Sequence, residues 1–119
     1  MTDCLFCRMV AGDIPADVVL QTDRVLAFRD INPQAPTHVL VIPKEHHRNI
    51  GALATADAGL LHEVVSAAHQ VAQQENLVSD GGIEPGYRLV SNTGPQVGQS
   101  VDHVHVHVLG GRPMAWPPG

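Results

Sequence analysis

The chain has 119 residues, 44% of them hydrophobic, and a formal charge of −5 with no basic run. This length suits one domain with a core of its own, and the charge argues against binding polymeric nucleic acid, though not against one small phosphate ester. No apolar stretch reaches membrane-spanning length and the N-terminus lacks a signal pattern, so a soluble, cytoplasmic protein with no membrane partner is expected.

Leu5, Phe6, Met9 and Val10 follow i, i+1, i+4, i+5 spacing and predict a short helix stopped at Gly12 and Pro15. Residues 17–21 and 24–29 read as two strands joined at Thr22-Asp23. Two prolines and an asparagine make Asn32-Pro33-Gln34-Ala35-Pro36 a loop. His38 to Ile42 is a buried strand ended by Pro43. The segment 55–75 reads as one long helix, with Thr55 as N-cap and Asp57 in its first turn. Leu60, Leu61, Val64, Val65, Ala68, Val71 and Ala72 form its apolar stripe. His62, Ser66, His69 and Gln73 form a solvated face. A Gly/Pro loop at 79–86 precedes a strand at Tyr87–Val90, and a second glycine-bearing loop spans 92–99. The sum is an α+β domain over 1–119, with about five antiparallel strands, one long helix and one short one.

Residues 103–108 read His-Val-His-Val-His-Val. Valine is β-branched and favours strands, where successive side chains take opposite faces. The three imidazoles therefore share one face, rooted roughly 6.6–7 Å apart, while the valines anchor the other in the core. Such a row has three uses. It can be a solvent-facing strand, a metal centre, or a site of nucleophilic and acid–base catalysis. Parallel ligands on one straight strand converge poorly on a single ion, whereas a linear row suits one attacking ring flanked by binding or protonating neighbours. The cysteines Cys4 and Cys7 form one C-x-x-C, which in a reducing compartment points to metal or redox work before a structural disulfide.

The row resembles the defining motif of the histidine triad (HIT) superfamily. The segment Cys4 to Gly12 with Ile14-Pro15, the stretch Ala27 to His38, Leu40 to Lys44, Gly98-Gln99-Ser100-Val101, Leu109 to Arg112 and Trp116-Pro117-Pro118-Gly119 are all similar to its HINT branch. These are histidine triad nucleotide-binding proteins that act as purine nucleoside phosphoramidases. The likeness covers nearly the whole chain. It implies a HIT fold that pairs as a two-fold homodimer, and transfer of a nucleoside monophosphate from a phosphoramidate or acyl phosphate to histidine and then to water.

By that resemblance His105 is the nucleophile on the α-phosphorus, and only one ring can lie in line with the leaving group. His107 contacts the phosphate and helps protonate the departing nitrogen, and His38 orients His107 from behind. Asn92 and Ser100 hydrogen-bond phosphate oxygens or the leaving group, and backbone N–H groups near Gly98, Gln99 and Ser100 add donors. Taken alone, Asn92 and Ser100 read equally as turn residues. Asp30 holds the ribose hydroxyls with Ile31 beside it, and Phe6, Met9 and Phe28 line the base pocket, a role that shades into core packing. Arg29 replaces the histidine of close relatives.

The resemblance also implies a structural zinc, found in some bacterial-type relatives and related nucleotidyltransferases, on Cys4, Cys7, His46 and His103, with His47 able to substitute. The bland alternative is two buried thiols. Trp116 would pack across the dimer near the partner's active site, or else clamp its own domain. The function expected is hydrolysis of purine nucleoside 5′-phosphoramidates or acyl-adenylates. The alternatives are dinucleoside polyphosphate hydrolysis, nucleotidyl transfer, or non-enzymatic nucleotide or partner binding.

Overall fold

A computed structural model describes residues 3–79 and 84–119. Five strands, β1 (Val18–Gln21), β2 (Val25–Arg29), β3 (Thr37–Pro43), β4 (Tyr87–Val90) and β5 (Val106–Gly110), form one antiparallel sheet in the order β1-β2-β3-β5-β4. The turn at Thr22 is closed by its own hydroxyl, which accepts from the Val25 N–H at 3.1 Å. Residues 80–83 of the expected Gly/Pro loop lie outside the described residues.

Strand alternation sorts the apolar residues onto two faces. Val25, Ala27, Val39, Val41, Val106 and Val108 meet the buried stripe of the long helix, while Leu26, Phe28, Leu40 and Ile42 meet Phe6 of α1 (Leu5–Val10). Helices therefore cover both sides of β3, and every one of its seven residues is buried. The face under α1 is the one that carries the histidines.

The expected helix over 55–75 is two helices, α2 (Ile50–Ala56) and α3 (Ala58–Gln74). Asp57 breaks them. Its backbone leaves helical geometry at φ −156° and ψ 87°, and its carboxylate accepts from the Leu60 N–H at 3.0 Å, so Asp57 and not Thr55 is the N-cap. Thr55 lies inside α2 and donates to the Gly51 carbonyl. Asn49 caps α2 in the same way, through the Ala52 N–H. On α3 the predicted stripe holds at Leu60, Val64, Ala68, Val71 and Ala72, with Leu61 partly buried, while Ala67 is buried and Val65 exposed. His69 is not simply solvated, since its Nδ1 lies 2.7 Å from the Tyr87 hydroxyl.

The histidine strand is also shorter than expected. The ladder begins at Val106, so only His107 of the three histidines lies within it. Upstream, the backbone is diverted. The Pro43 carbonyl accepts from the His103 ring, and the Val104 N–H donates to the His47 carbonyl. The alternation nevertheless persists, with Val104, Val106 and Val108 all in the α3-facing core.

Candidate active site and metal centre

The tautomer of each histidine in the row follows from a backbone group. His105 Nδ1 lies 2.8 Å from the His103 carbonyl, which can only accept, so Nδ1 carries the proton and Nε2 keeps its lone pair. The His105 ring is buried and lies edge-on to Phe6, with centroids 5.1 Å apart. Its neighbour His107 stands 5.1 Å away, centroid to centroid.

His107 is governed from β3. The Gln34 N–H donates to His38 Nδ1 at 3.0 Å, so the His38 proton sits on Nε2. That nitrogen lies 2.8 Å from His107 Nδ1 and donates to it, which leaves the His107 proton on Nε2. Burial lowers the His38 pKa and, aided by the charges of His105 and His38, pushes His107 down to about 4, with Asp30 opposing in each case. Both rings are therefore neutral at neutral pH, as these tautomers require. Asp30 Oδ2 lies 3.4 Å from His38 Nε2, and its other oxygen accepts from the Asn32 N–H at 2.8 Å. Asp30, His38 and His107 are close enough to suggest a metal triad. However, a 2.8 Å nitrogen–nitrogen spacing is a hydrogen bond, shorter than the roughly 3.3 Å edge of a tetrahedral zinc site.

These groups open onto a cavity of about 380 Å³, within the size range of small-molecule pockets. Phe6, Met9 and Phe28 are apolar lining, and Asp30, Ile31, Ser100, His105 and His107 line the cavity with them. Phe6 and Phe28 line the cavity and are also core residues, in T-shaped contact at 5.5 Å. Leu40 and Val101 line the cavity as well and were not singled out. Leu40 was legible, being two residues from His38 on the same strand face. Pro15, Ala16 and Asp17 also line the cavity, and of these only Pro15 falls within a sequence motif. Arg29 lines it too, its guanidinium tied to Glu75 at 2.6 Å across from β2 to the end of α3.

Four predicted catalytic or nucleotide-site residues lie outside this lining, namely His38, which stands behind His107, and Asn92, Gln99 and Trp116. Gln99 ties its loop together, its amide oxygen accepting from Gly94 N–H and its nitrogen donating to the Arg48 carbonyl. The backbone N–H groups of Gly98 and Gln99 are engaged within the same loop, with Pro95 and Gly94, so in this conformation they are not spare donors. Asn92 packs beside Gly98, its amide nitrogen 3.6 Å from where a Cβ would stand. Together they shape the loop that delivers Ser100. Trp116 is 81% exposed, with the Arg88 guanidinium 6.0 Å from its ring centroid. It does not clamp its own domain.

Behind the row, His103 is fully buried and donates from Nε2 to the Pro43 carbonyl at 2.9 Å. Its Nδ1 lone pair therefore turns toward Cys4 Sγ at 3.4 Å, Cys7 Sγ at 3.5 Å and His46 Nδ1 at 3.2 Å. His46 Nδ1 lies 3.2 Å from Cys7 Sγ. A tetrahedron built on Zn–N and Zn–S bonds of about 2.0–2.3 Å has edges of roughly 3.3–3.8 Å. Two thiolates and two imidazoles at these spacings fit a closed, structural zinc site, with the Pro43 carbonyl as the outer partner that fixes the His103 tautomer. Burial pushes His103 down to about 4, which keeps it in the neutral form that ligation needs. His47 is not part of the set, because its ring turns to Glu45 at 2.8 Å.

Comparison with known proteins agrees with this geometry. The HIT domain family model matches residues 11–114. A 14 kDa zinc-binding protein of Zea mays is 49% identical, covering 97% of this chain and 87% of its own. Adenylylsulfatase HINT1 of Arabidopsis thaliana is 44% identical, covering 97% of this chain and 76% of its own. The crystal structure of a HIT family hydrolase from Legionella pneumophila Philadelphia 1 superposes with a TM-score of 0.88 at 50% identity, over 98% of this chain and all of that one. The chain is a member of the HIT family.

Proposed function

We propose that this protein is a homodimeric nucleotide hydrolase that cleaves purine nucleoside 5′-phosphoramidates or acyl-adenylates through a covalent nucleotidyl-His105. The observation that carries this reading is the His105 ring itself. Its Nδ1 proton is pinned to the His103 carbonyl, so Nε2 is a ready nucleophile on the cavity wall. His105 Nε2 attacks the α-phosphorus, and the nitrogen or acyl oxygen departs with the bonding pair. An amine leaves badly as an anion, so it departs with a proton drawn from solvent on the His107 side, where the neutral ring keeps its Nε2–H and hydrogen-bonds the phosphate or the departing nitrogen with it. Water then attacks the phosphorus, its proton passes to solvent, and the nucleotide and free His105 are released.

The remaining roles follow the chemistry of each wall. Ser100 offers its hydroxyl to the phosphate or leaving group, with Asn92 and Gln99 holding its loop. Asp30 takes the ribose hydroxyls beside Ile31, and Phe6, Met9 and Phe28 enclose the purine. A zinc ion on Cys4, Cys7, His46 and His103 supplies structure and no chemical step. The Zea mays relative, named a zinc-binding protein, supports that assignment, and the relative named adenylylsulfatase supports an adenylyl donor. Trp116, exposed in one chain, is suited to pack against a second copy near its active site. No described helix is long and apolar enough to cross a membrane.

Incubation with ³²P-labelled adenosine 5′-phosphoramidate, following AMP release and trapping labelled protein by an alkaline denaturing quench that preserves a P–N bond, tests the reading. Turnover with label lost in His105→Asn is expected. Undiminished turnover in that variant would refute the covalent route, and tight AMP binding with no hydrolysis of any phosphoramidate or acyl-adenylate would favour a binding module.

A further inference from the structure

The His38 tautomer rests on a single backbone N–H, and that N–H belongs to an exposed loop. Pro33 and Pro36 deprive the segment between Asp30 and Thr37 of ladder donors, so tethers alone decide where Gln34 sits. One tether is internal. The Gln34 amide donates to the Asn32 carbonyl at 3.0 Å. The other comes from the far end of the chain. Arg112 donates from Nε at 3.3 Å and from a terminal guanidinium nitrogen at 3.0 Å to the Gln34 carbonyl. Its third nitrogen donates to the Pro113 carbonyl at 3.1 Å, which fixes the fork's direction. The backbone just before Arg112 lies on the same loop. Gly111 adopts φ +91°, and a Cβ there would stand 2.8 Å from the Pro36 Cβ, so only glycine permits this approach. Gly110 pairs with Thr37 at the end of the ladder.

We propose that Arg112 is a positioning residue for the catalytic histidines. By holding the Gln34 carbonyl it keeps the Gln34 N–H on His38 Nδ1, and thereby sets which nitrogen of His107 presents a proton to the substrate. Arg112 does not line the cavity and touches no reacting group. A charged donor shared by two N–H groups is stronger than a neutral one, and the geometry of a planar fork is not reproduced by an ammonium. Without it, Gln34 drifts, His38 becomes free to carry its proton on Nδ1, and the hydrogen bond to His107 loses its donor.

The inference rests on the proposed hydrolase for its kinetic consequence, but not for its spectroscopic one. The test is Arg112→Met in the full chain, read by ¹⁵N NMR of the histidine rings at a pH near 8, where they are neutral, and by steady-state hydrolysis of adenosine 5′-phosphoramidate. The expected result is a His38 Nδ1 signal that moves from the lone-pair position toward the protonated one. With it, kcat falls about tenfold, in the range seen when an outer partner of a working histidine is lost, while KM changes less than about twofold. Arg112→Lys recovers part of both. Arg88→Met, which releases Ala115 and Trp116 but not Gln34, keeps the His38 signals. Unchanged His38 signals in Arg112→Met overturn the proposal, and so does an equal change in Arg88→Met, which would assign the effect to tail packing. Absence of hydrolysis by the wild type would remove the proposed function and leave the NMR result to decide on Arg112.

Discussion

His38 Nε2 lies 2.8 Å from His107 Nδ1, across 69 residues of sequence but a single diagonal of the sheet. The register explains it. His38 pairs with Leu109 and Leu40 with His107, so the two histidines are diagonal neighbours on the α1-facing side. Replacing His38 by Phe keeps a planar ring, somewhat larger, and removes the donor. The expected outcome is kcat lowered about 10–100-fold with little change in KM, measured as AMP release from a phosphoramidate, because His107 is then free to hold its proton on either nitrogen.

His105→Asn removes the proposed nucleophile and leaves an amide that can still donate to the His103 carbonyl. Turnover is expected to fall by at least about 10³-fold. AMP affinity by calorimetry is expected to stay within a few-fold of wild type, since the residues proposed to hold the purine and ribose are untouched. Loss of binding together with turnover would instead point to a collapsed site.

The depressed His107 pKa makes stability depend on pH in one direction. Unfolded, this ring titrates near 6.5; folded, burial holds it at about 4. Between those values the unfolded chain binds the extra proton, so stability falls as pH drops from about 6.5 to about 4, and the contribution of this group is level outside that window. His38, also lowered by burial, acts in the same sense. Denaturant titrations at several pH values are expected to show this slope reduced in His107→Asn.

Much of this was readable in the sequence because it depends on short-range periodicity. The β-branched alternation at 103–108 sorted histidines from valines, and the α1 spacing placed Phe6 over the sheet. What was hidden depends on capping and on tertiary competition. Asp57 looked like a first-turn acid of one long helix, yet its carboxylate serves both the Leu60 N–H and the Arg24 guanidinium at 2.6 Å, and the helix breaks there. Arg24 comes from the β1–β2 turn, a partner no local pattern announces. Likewise the strand at 103–108 shortens because Pro43 gives its carbonyl to the His103 ring. The choice of His46 over His47 turned on where two adjacent rings point, which the sequence alone cannot specify.

The metal set predicts about one zinc per chain in protein purified without a histidine tag, by elemental analysis. Cys7→Ser is expected to lose it and to lower the melting temperature, because ligation energy is folding energy here. The same variant is expected to weaken catalysis mildly rather than abolish it. The link is the His103 backbone, whose side chain would hold the metal and whose carbonyl orients His105. Zinc below about a tenth of an equivalent in chelator-free protein would remove the assignment.

Phe6 is where stability and function meet most closely. It is 3% exposed, packs against Phe28 at 5.5 Å, and presents its edge or face to His105 at 5.1 Å and His103 at 5.9 Å. Phe6→Ala would leave a cavity under α1 and cost about 3–5 kcal/mol, enough to threaten folding of a domain this size. Phe6→Leu is therefore the informative variant. It fills most of the volume but loses the aromatic contacts, so a loss of about 1 kcal/mol is expected by denaturant unfolding. Because the same ring forms one wall of the cavity, AMP affinity is expected to fall several-fold in step. A variant that loses stability but binds AMP as tightly as wild type would place the purine against Met9 and the rim instead.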